Sequence, residues 1–107
     1  MAEKSGRRTK KKKAHRRDPV VRAAFARILV EQRRRQNLKQ HEVASASGYS
    51  EKYIGQLERR VNTPSLTAAI EIASGLQIDP RDLLGRVLQL MPRFKRLERP
   101  DPEAADM

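Results

Sequence analysis

Between Ser50 and Arg59 the sequence sets polar side chains at Ser50, Glu51, Lys52, Gln56 and Arg59 around apolar anchors at Ile54 and Leu57. None of them pairs a nucleophile with a base, so the chemistry on offer is hydrogen bonding rather than bond making. The ammonium of Lys52 suits the acceptors of guanine, the Gln56 amide matches adenine, and the Glu51 carboxylate could accept from cytosine N4. An acid beside a polyanion is costly without such a donor. Glu51 has an equally good second role at the start of a helix, where the dipole favours negative charge. Elsewhere there is no phosphate-cradling glycine loop, no nucleophile beside a base and no cluster of metal ligands. His15 and His41 stand apart and read as surface residues; without cysteine they make no metal site. No catalytic residue, metal or other cofactor is expected.

The charge balance names the kind of partner. The chain has 107 residues with 24 Lys and Arg against 13 Asp and Glu, a formal charge of +11 and an isoelectric point near 10.9. Such a balance favours nucleic acid or an anionic surface. Met1 to Arg17 alone holds nine basic residues against Glu3 and almost nothing apolar, so residues 1–17 are expected to be a disordered basic tail. Its plain role is a nonspecific electrostatic arm; reading the minor groove is the sharper alternative. The absence of cysteine excludes a disulfide framework. No apolar run approaches the roughly 20 residues that span a bilayer, and no apolar stretch follows the basic N-terminus as in a secretory signal. No membrane association is expected, and the cytoplasm is the expected compartment.

One domain fits this length. Aromatics make up only 4% of the residues, so the core must be aliphatic. The apolar spacing is helical throughout and lacks the alternation of strands, which predicts an all-α fold, a compact bundle of five short helices. The first starts near Asp18-Pro19, a cap followed by a proline suited to the first turn. It turns Val21, Phe25, Ile28 and Leu29 inward and stops at Asn37. The second runs from about Gln40 to Ser47 with Val43 and Ala44 inward, Ala46 being a further candidate, and Gly48 supplies the positive φ of a tight turn. Ser50 caps the third, Glu51 to Arg59, anchored by Ile54 and Leu57. The fourth, capped by Thr63 or Ser65, carries Leu66, Ala69, Ile70 and Ala73 and stops at Gly75. Asp79-Pro80-Arg81-Asp82 opens the fifth, which bears Leu83, Leu84, Val87, Leu88, Leu90 and Met91 and is expected to end or kink at Pro92. The folded unit is therefore 18–91, with 92–107 a partly disordered extension.

Two short helices joined at Gly48, with a small Ala44 at their crossing, form a helix-turn-helix whose second helix can enter a groove. The stretch Gln40-His41-Glu42-Val43-Ala44, Gly48-Tyr49-Ser50, Tyr53-Ile54, Gln56-Leu57-Glu58-Arg59 and Asn62-Thr63-Pro64-Ser65-Leu66 resembles the lambda-repressor-like, XRE-type (Cro/C1-type) helix-turn-helix family. The likeness extends from about Ala24 to Leu84. It implies a five-helix domain, usually dimeric, that binds double-stranded DNA at near-palindromic operators, in a bacterium or from a phage. Carried over by position, Glu51, Lys52 and Gln56 would face base edges, and Gly55 would let the backbone come close. Gln40, Ser50, Arg59, Arg60, Asn62 and Thr63 would touch the sugar-phosphate chain. Three positions depart from the family pattern. Lys39 replaces the usual Ser or Thr cap and is itself placed to reach phosphate. Gly55 lacks a side chain that often touches DNA. Arg60 replaces a glycine, so either it takes a strained positive φ or the helix runs on.

Each of these residues has a second reading. Arg33, Arg34 and Arg35 are either a solvated helix end or phosphate contacts, with Arg33 and Arg34 the candidates. Glu58 reads as structural, paired with an arginine inside the domain, and Tyr49 and Tyr53 read as packing residues. Leu84, Val87, Leu88 and Met91 exceed what one small bundle needs and are candidates for a homodimer seam. The leading function is a sequence-specific transcriptional regulator, a repressor acting on its own operator, rather than an enzyme. No small-molecule ligand is expected, because no ligand-binding domain fits. The alternatives are a coactivator of the multiprotein-bridging type, an antitoxin-type regulator with a protein partner, and a nonspecific nucleoid or RNA binder resting on the tail alone.

Overall fold

The computed structural model describes residues 18–98, with side chains as far as Phe94. The expected N-terminal tail and the end of the C-terminal extension lie outside the described residues. Five helices follow one another: α1 (Asp18–Arg35), α2 (Gln40–Ser47), α3 (Glu51–Glu58), α4 (Leu66–Gly75) and α5 (Pro80–Glu98). The described residues contain no strand.

The long helices α1 and α5 pack together; α3 lies against α1, α4 against α5, and α2 packs on α3 and α4. α1 contributes Val20, Ala23, Ala24, Phe25, Ile28 and Leu29 to the core. Its inward residue near the start is Val20 rather than the expected Val21, which is only half-buried. The helix ends as expected at Asn37, whose φ of 58° lets the Leu38 N–H reach back to the Arg33 carbonyl at 3.0 Å. That closure satisfies carbonyls that would otherwise be orphaned at the helix end.

α2 begins at Lys39 without a side-chain cap, because an ammonium has no lone pair to offer. Half of the capping arrangement survives: the Glu42 carboxylate accepts the Lys39 backbone N–H at 2.7 Å. Gly48 closes the helix at φ 84°. Ser50 and Ser65 each accept a backbone N–H at 3.0 Å, from Tyr53 and Ala68, and so cap α3 and α4. Between the two expected candidates for α4, the cap is Ser65. Asp79 performs the same service for α5, its Oδ1 accepting the Arg81 N–H at 2.8 Å. The Arg81 side chain and N–H together hold the Asp79 carboxyl below its ordinary pKa.

Two expectations for the later helices are corrected. On α4 the buried residues are Ala68, Ile72 and Ala73, while Leu66 and Ile70 of the expected face are exposed. The sequence offers two overlapping apolar stripes here, and Gly75 decides between them. A Cβ on Gly75 would lie 3.1 Å from the Cβ and backbone nitrogen of Ser47, so the ends of α2 and α4 meet almost backbone to backbone. The helix does end at Gly75 as expected, but the glycine serves close packing and not a positive-φ turn. The left-handed turn that follows is made by Gln77, at φ 59°, with the Ile78 N–H returning to the Ala73 carbonyl at 2.8 Å.

α5 does not end at Pro92 but continues to Glu98 with the proline inside it. Pro92 sits on the exposed side, and two residues later, about half a turn on, Phe94 enters the core at 8% exposure. Burying a phenylalanine contributes about 1.5–3 kcal/mol, comparable to the ~3 kcal/mol an interior proline costs. The folded unit thus reaches beyond Met91. Val87, expected at a dimer seam, is 6% exposed and belongs to the core of this single chain. Met91 is half-buried against the same core.

Candidate nucleic-acid interface

The exposed face of α3 is set by what the helix buries. Ile54 and Leu57 are fully inside the core. Tyr53 leans on Tyr49 with ring centroids 5.1 Å apart, and both pack on the core as expected. Burial first, and then neighbouring Tyr49, raises the Tyr53 hydroxyl above its ordinary pKa. With these anchors inside, Ser50, Glu51, Lys52 and Arg59 are exposed and Gln56 is half-buried.

A buried polar knot fixes the angle of α3. The Glu58 carboxylate, whose side chain is 7% exposed, accepts from Arg33 Nε at 2.6 Å and Nη2 at 3.0 Å. It also accepts from Gln40 Nε2 at 2.8 Å, while Arg33 Nη1 donates to the Leu38 carbonyl at 2.9 Å. One carboxylate thus joins the end of α1, the start of α2 and the end of α3. This is the structural role expected of Glu58. Arg33, in contrast, is not placed at the surface with Arg34: at 14% side-chain exposure its guanidinium is spent inside the domain. A buried carboxylate needs such a partner, and that need overrides solvation of the arginine.

The Gln40 and Arg59 side chains converge over Gly55. A Cβ at Gly55 would lie 3.2 Å from Arg59 Nη1 and 3.5 Å from Gln40 Oε1. The bare backbone expected to approach a ligand is therefore covered by two polar side chains and counts as buried.

The segment after α3 is similarly tied down. Asn62, expected at the sugar-phosphate chain, donates instead from Nδ2 to Gln56 Oε1 at 2.9 Å. Thr63 Oγ1 accepts from Arg22 Nη1 at 3.1 Å. Arg60 adopts the strained alternative, φ 65°, and the helix does not run on. Its guanidinium carbon lies 5.2 Å from the centroid of the Phe94 ring. The sequence places Arg22 only on the outside of the first helix or near a partner, without naming Thr63, and reasoning from it misses Phe94. A signal for Phe94 was present, since it follows Val87 by seven residues on the buried stripe of α5, but the weight given to Pro92 hid it.

Together these elements present an exposed polar helix face with Gln40 and Arg59 over Gly55, of a size that one major groove admits. Among the described residues no group of three or more His, Asp or Glu could hold a metal ion, and no helix is long and apolar enough to cross a membrane.

Comparison with known proteins agrees with this architecture. The family model described as "Helix-turn-helix" matches residues 29–83, just over half of the chain. A search of curated protein sequences gave no match. Among solved structures, the restriction-modification controller protein C.AhdI from Aeromonas hydrophila is 32% identical, with a TM-score of 0.60 over 64% of this chain and 99% of that one. The clp gene regulator ClgR from Corynebacterium glutamicum is 25% identical, with a TM-score of 0.66 over 76% of this chain and 86% of that one. With α2 and α3 set as a helix-turn-helix, the chain belongs to the XRE/lambda-repressor-like helix-turn-helix family of DNA-binding transcription regulators.

Proposed function

We propose that this chain is a sequence-specific repressor that inserts α3 into the major groove and binds as a homodimer to a near-palindromic operator. The observation that carries the proposal is the exposed polar face of α3, held outward by Ile54 and Leu57 with Glu51 and Lys52 uncovered. Glu51, Lys52 and Gln56 face base edges, with Gln56 aimed by Asn62. Lys39, Gln40, Ser50, Arg59, Thr63 and Arg34 serve the phosphates and set register, which is the division of labour usual in such complexes. At Gly55, Arg59 and Gln40 must part for the backbone to come close.

Selection from a random duplex pool tests the reading directly. Lys52→Ala and Gln56→Ala are each expected to weaken binding to the selected sequence by about 1–3 kcal/mol and to relax the preference at one base pair. An unchanged sequence preference in both variants rejects the base-reading roles. Equal affinity for random and selected duplex would return the fold to a protein adaptor.

The homodimer reading rests on apolar surface. Leu66, Ile70, Leu84 and Leu88 are exposed, Leu88 at 63%. A groove of about 200 Å³ between α4 and α5 is lined by Leu66, Ala69, Ile70, Pro80, Leu83 and Leu84, together with Arg81. Contiguous apolar surface of this kind marks an interaction site. Two copies joined through it would present two α3 helices, and half-sites about 34 Å apart would match them. Leu88→Asp is expected to yield monomers in sedimentation velocity at concentrations where the parent chain is a dimer. A parent chain that sediments as a monomer removes the dimer.

A further inference from the structure

Residues 60–63, which follow the cap of α3 at Arg59, are held in place from three directions. Arg60 occupies the left-handed region at φ 65°, where a residue with a Cβ is penalised. The turn it makes is closed by Arg60 N–H to the Leu57 carbonyl at 3.1 Å and Val61 N–H to the Gln56 carbonyl at 2.9 Å. Glycine would make this turn without strain, so an arginine here requires something that holds it. The ring of Phe94 lies 5.2 Å from its guanidinium carbon, within cation–π range. Phe94 is buried, and the helix carrying it has continued past a proline to put it there. Two residues beyond Arg60, Asn62 grips the Gln56 amide, and Thr63 is bound by Arg22 of α1.

We propose that Phe94 is a positioning residue for DNA recognition: by seating Arg60 it fixes the loop 60–63 and, through Asn62, the orientation of the Gln56 amide. The proposal rests on Gln56 reading a base. It makes the last turns of α5 part of the recognition apparatus although they lie on another helix. An amide can present donor and acceptor either way round, so an oriented Gln56 discriminates between base pairs where a free one does not.

The test uses the full chain with Phe94→Leu, which keeps an apolar side chain but removes the ring, and Phe94→Tyr, which keeps the ring. Arg60→Gln removes the cation at an exposed position while keeping a Cβ and a polar side chain there. The quantity measured is the ratio of affinities for the selected duplex and for a duplex altered at the base pair read by Gln56, so that loss of a positive charge cancels. Phe94→Leu and Arg60→Gln are each expected to lower that ratio about two- to fivefold, the worth of an exposed cation–π contact. The double variant should lose no more than either single change, and Phe94→Tyr should behave as the parent chain. Proton NMR should show the Arg60 Cδ protons shifted upfield by the ring, and the shift abolished in Phe94→Leu. Unchanged ratios in both single variants, or losses that multiply in the double, overturn the proposal. Gln56→Ala run alongside separates the two levels. If it relaxes discrimination while the Phe94 and Arg60 variants do not, only the positioning role falls. If it leaves discrimination intact, the base-reading assignment fails and the proposal falls with it.

Discussion

Glu58→Ala is expected to destabilise the domain by about 3–5 kcal/mol, because it strands the Arg33 guanidinium in the interior without a counter-charge. At roughly 4–8 °C per kcal/mol for a domain of this size, the melting temperature should fall by more than ~10 °C. The charge is not the whole explanation. Glu58 accepts three hydrogen bonds from two helices, and alanine leaves all three donors with nothing to bond. Replacing both partners, Arg33→Met with Glu58→Leu, should recover most of the loss, since an apolar pair carries no desolvation cost. The recovery should be partial, because Gln40 would still lack its acceptor. Urea melts of the three proteins check this. A Glu58→Ala midpoint within ~1 kcal/mol of the parent would mean that solvent reaches the pair and that it does not set the angle of α3.

The knot also shows where reading the sequence succeeds and where it stops. Caps were legible at Ser50 and Asp79 because a cap is a local pattern that works over two or three residues. Gly48 was legible for the same reason, since its turn makes demands on one residue. The need of Glu58 for an internal arginine was legible too, but not which one. Arg33, Arg34 and Arg35 are chemically identical in the chain, and only the crossing of α1 with α3 turns Arg33 inward. α4 failed differently. Its two apolar stripes differ by a small rotation, and the contact that selects one of them joins Gly75 to Ser47, 28 residues apart. Pro92 was weighted as a local stop when the gain from burying Phe94 lay two residues further on.

For the site, the exposed face of α3 followed from the anchors Ile54 and Leu57, whose spacing is visible in the sequence. Its pre-organisation did not. The contacts Asn62 to Gln56, Arg22 to Thr63 and Arg60 to Phe94 span between 6 and 41 residues, and no periodicity announces them. They share a consequence: side chains that read as free phosphate ligands are partly committed inside the protein. Cations for which no partner is seen among the described residues, notably Lys52, Lys39 and Arg34, then carry more of the electrostatic attraction than their number suggests.

That shortage of free charge on the domain makes deletion of residues 1–17 the change with the largest expected effect on binding. The segment holds nine basic residues against one acidic, most of the net +11 of the whole chain. At up to ~3.6 Å per residue it can extend about 60 Å from Asp18, far enough to follow several phosphates beyond those the domain touches. Each phosphate it neutralises releases condensed counterions and adds about 0.9 to the slope of log affinity against log salt. If roughly half of its cations engage, removing it should flatten that slope by about 4 and weaken binding at 50 mM salt by several orders of magnitude. At high salt the two proteins should converge. Selected and random duplex should lose affinity by the same factor, because attraction to phosphates carries no sequence information. A truncated protein with an unchanged slope would place the tail away from DNA. A loss confined to the selected duplex would mean instead that the tail reads bases, as an arm in the minor groove does.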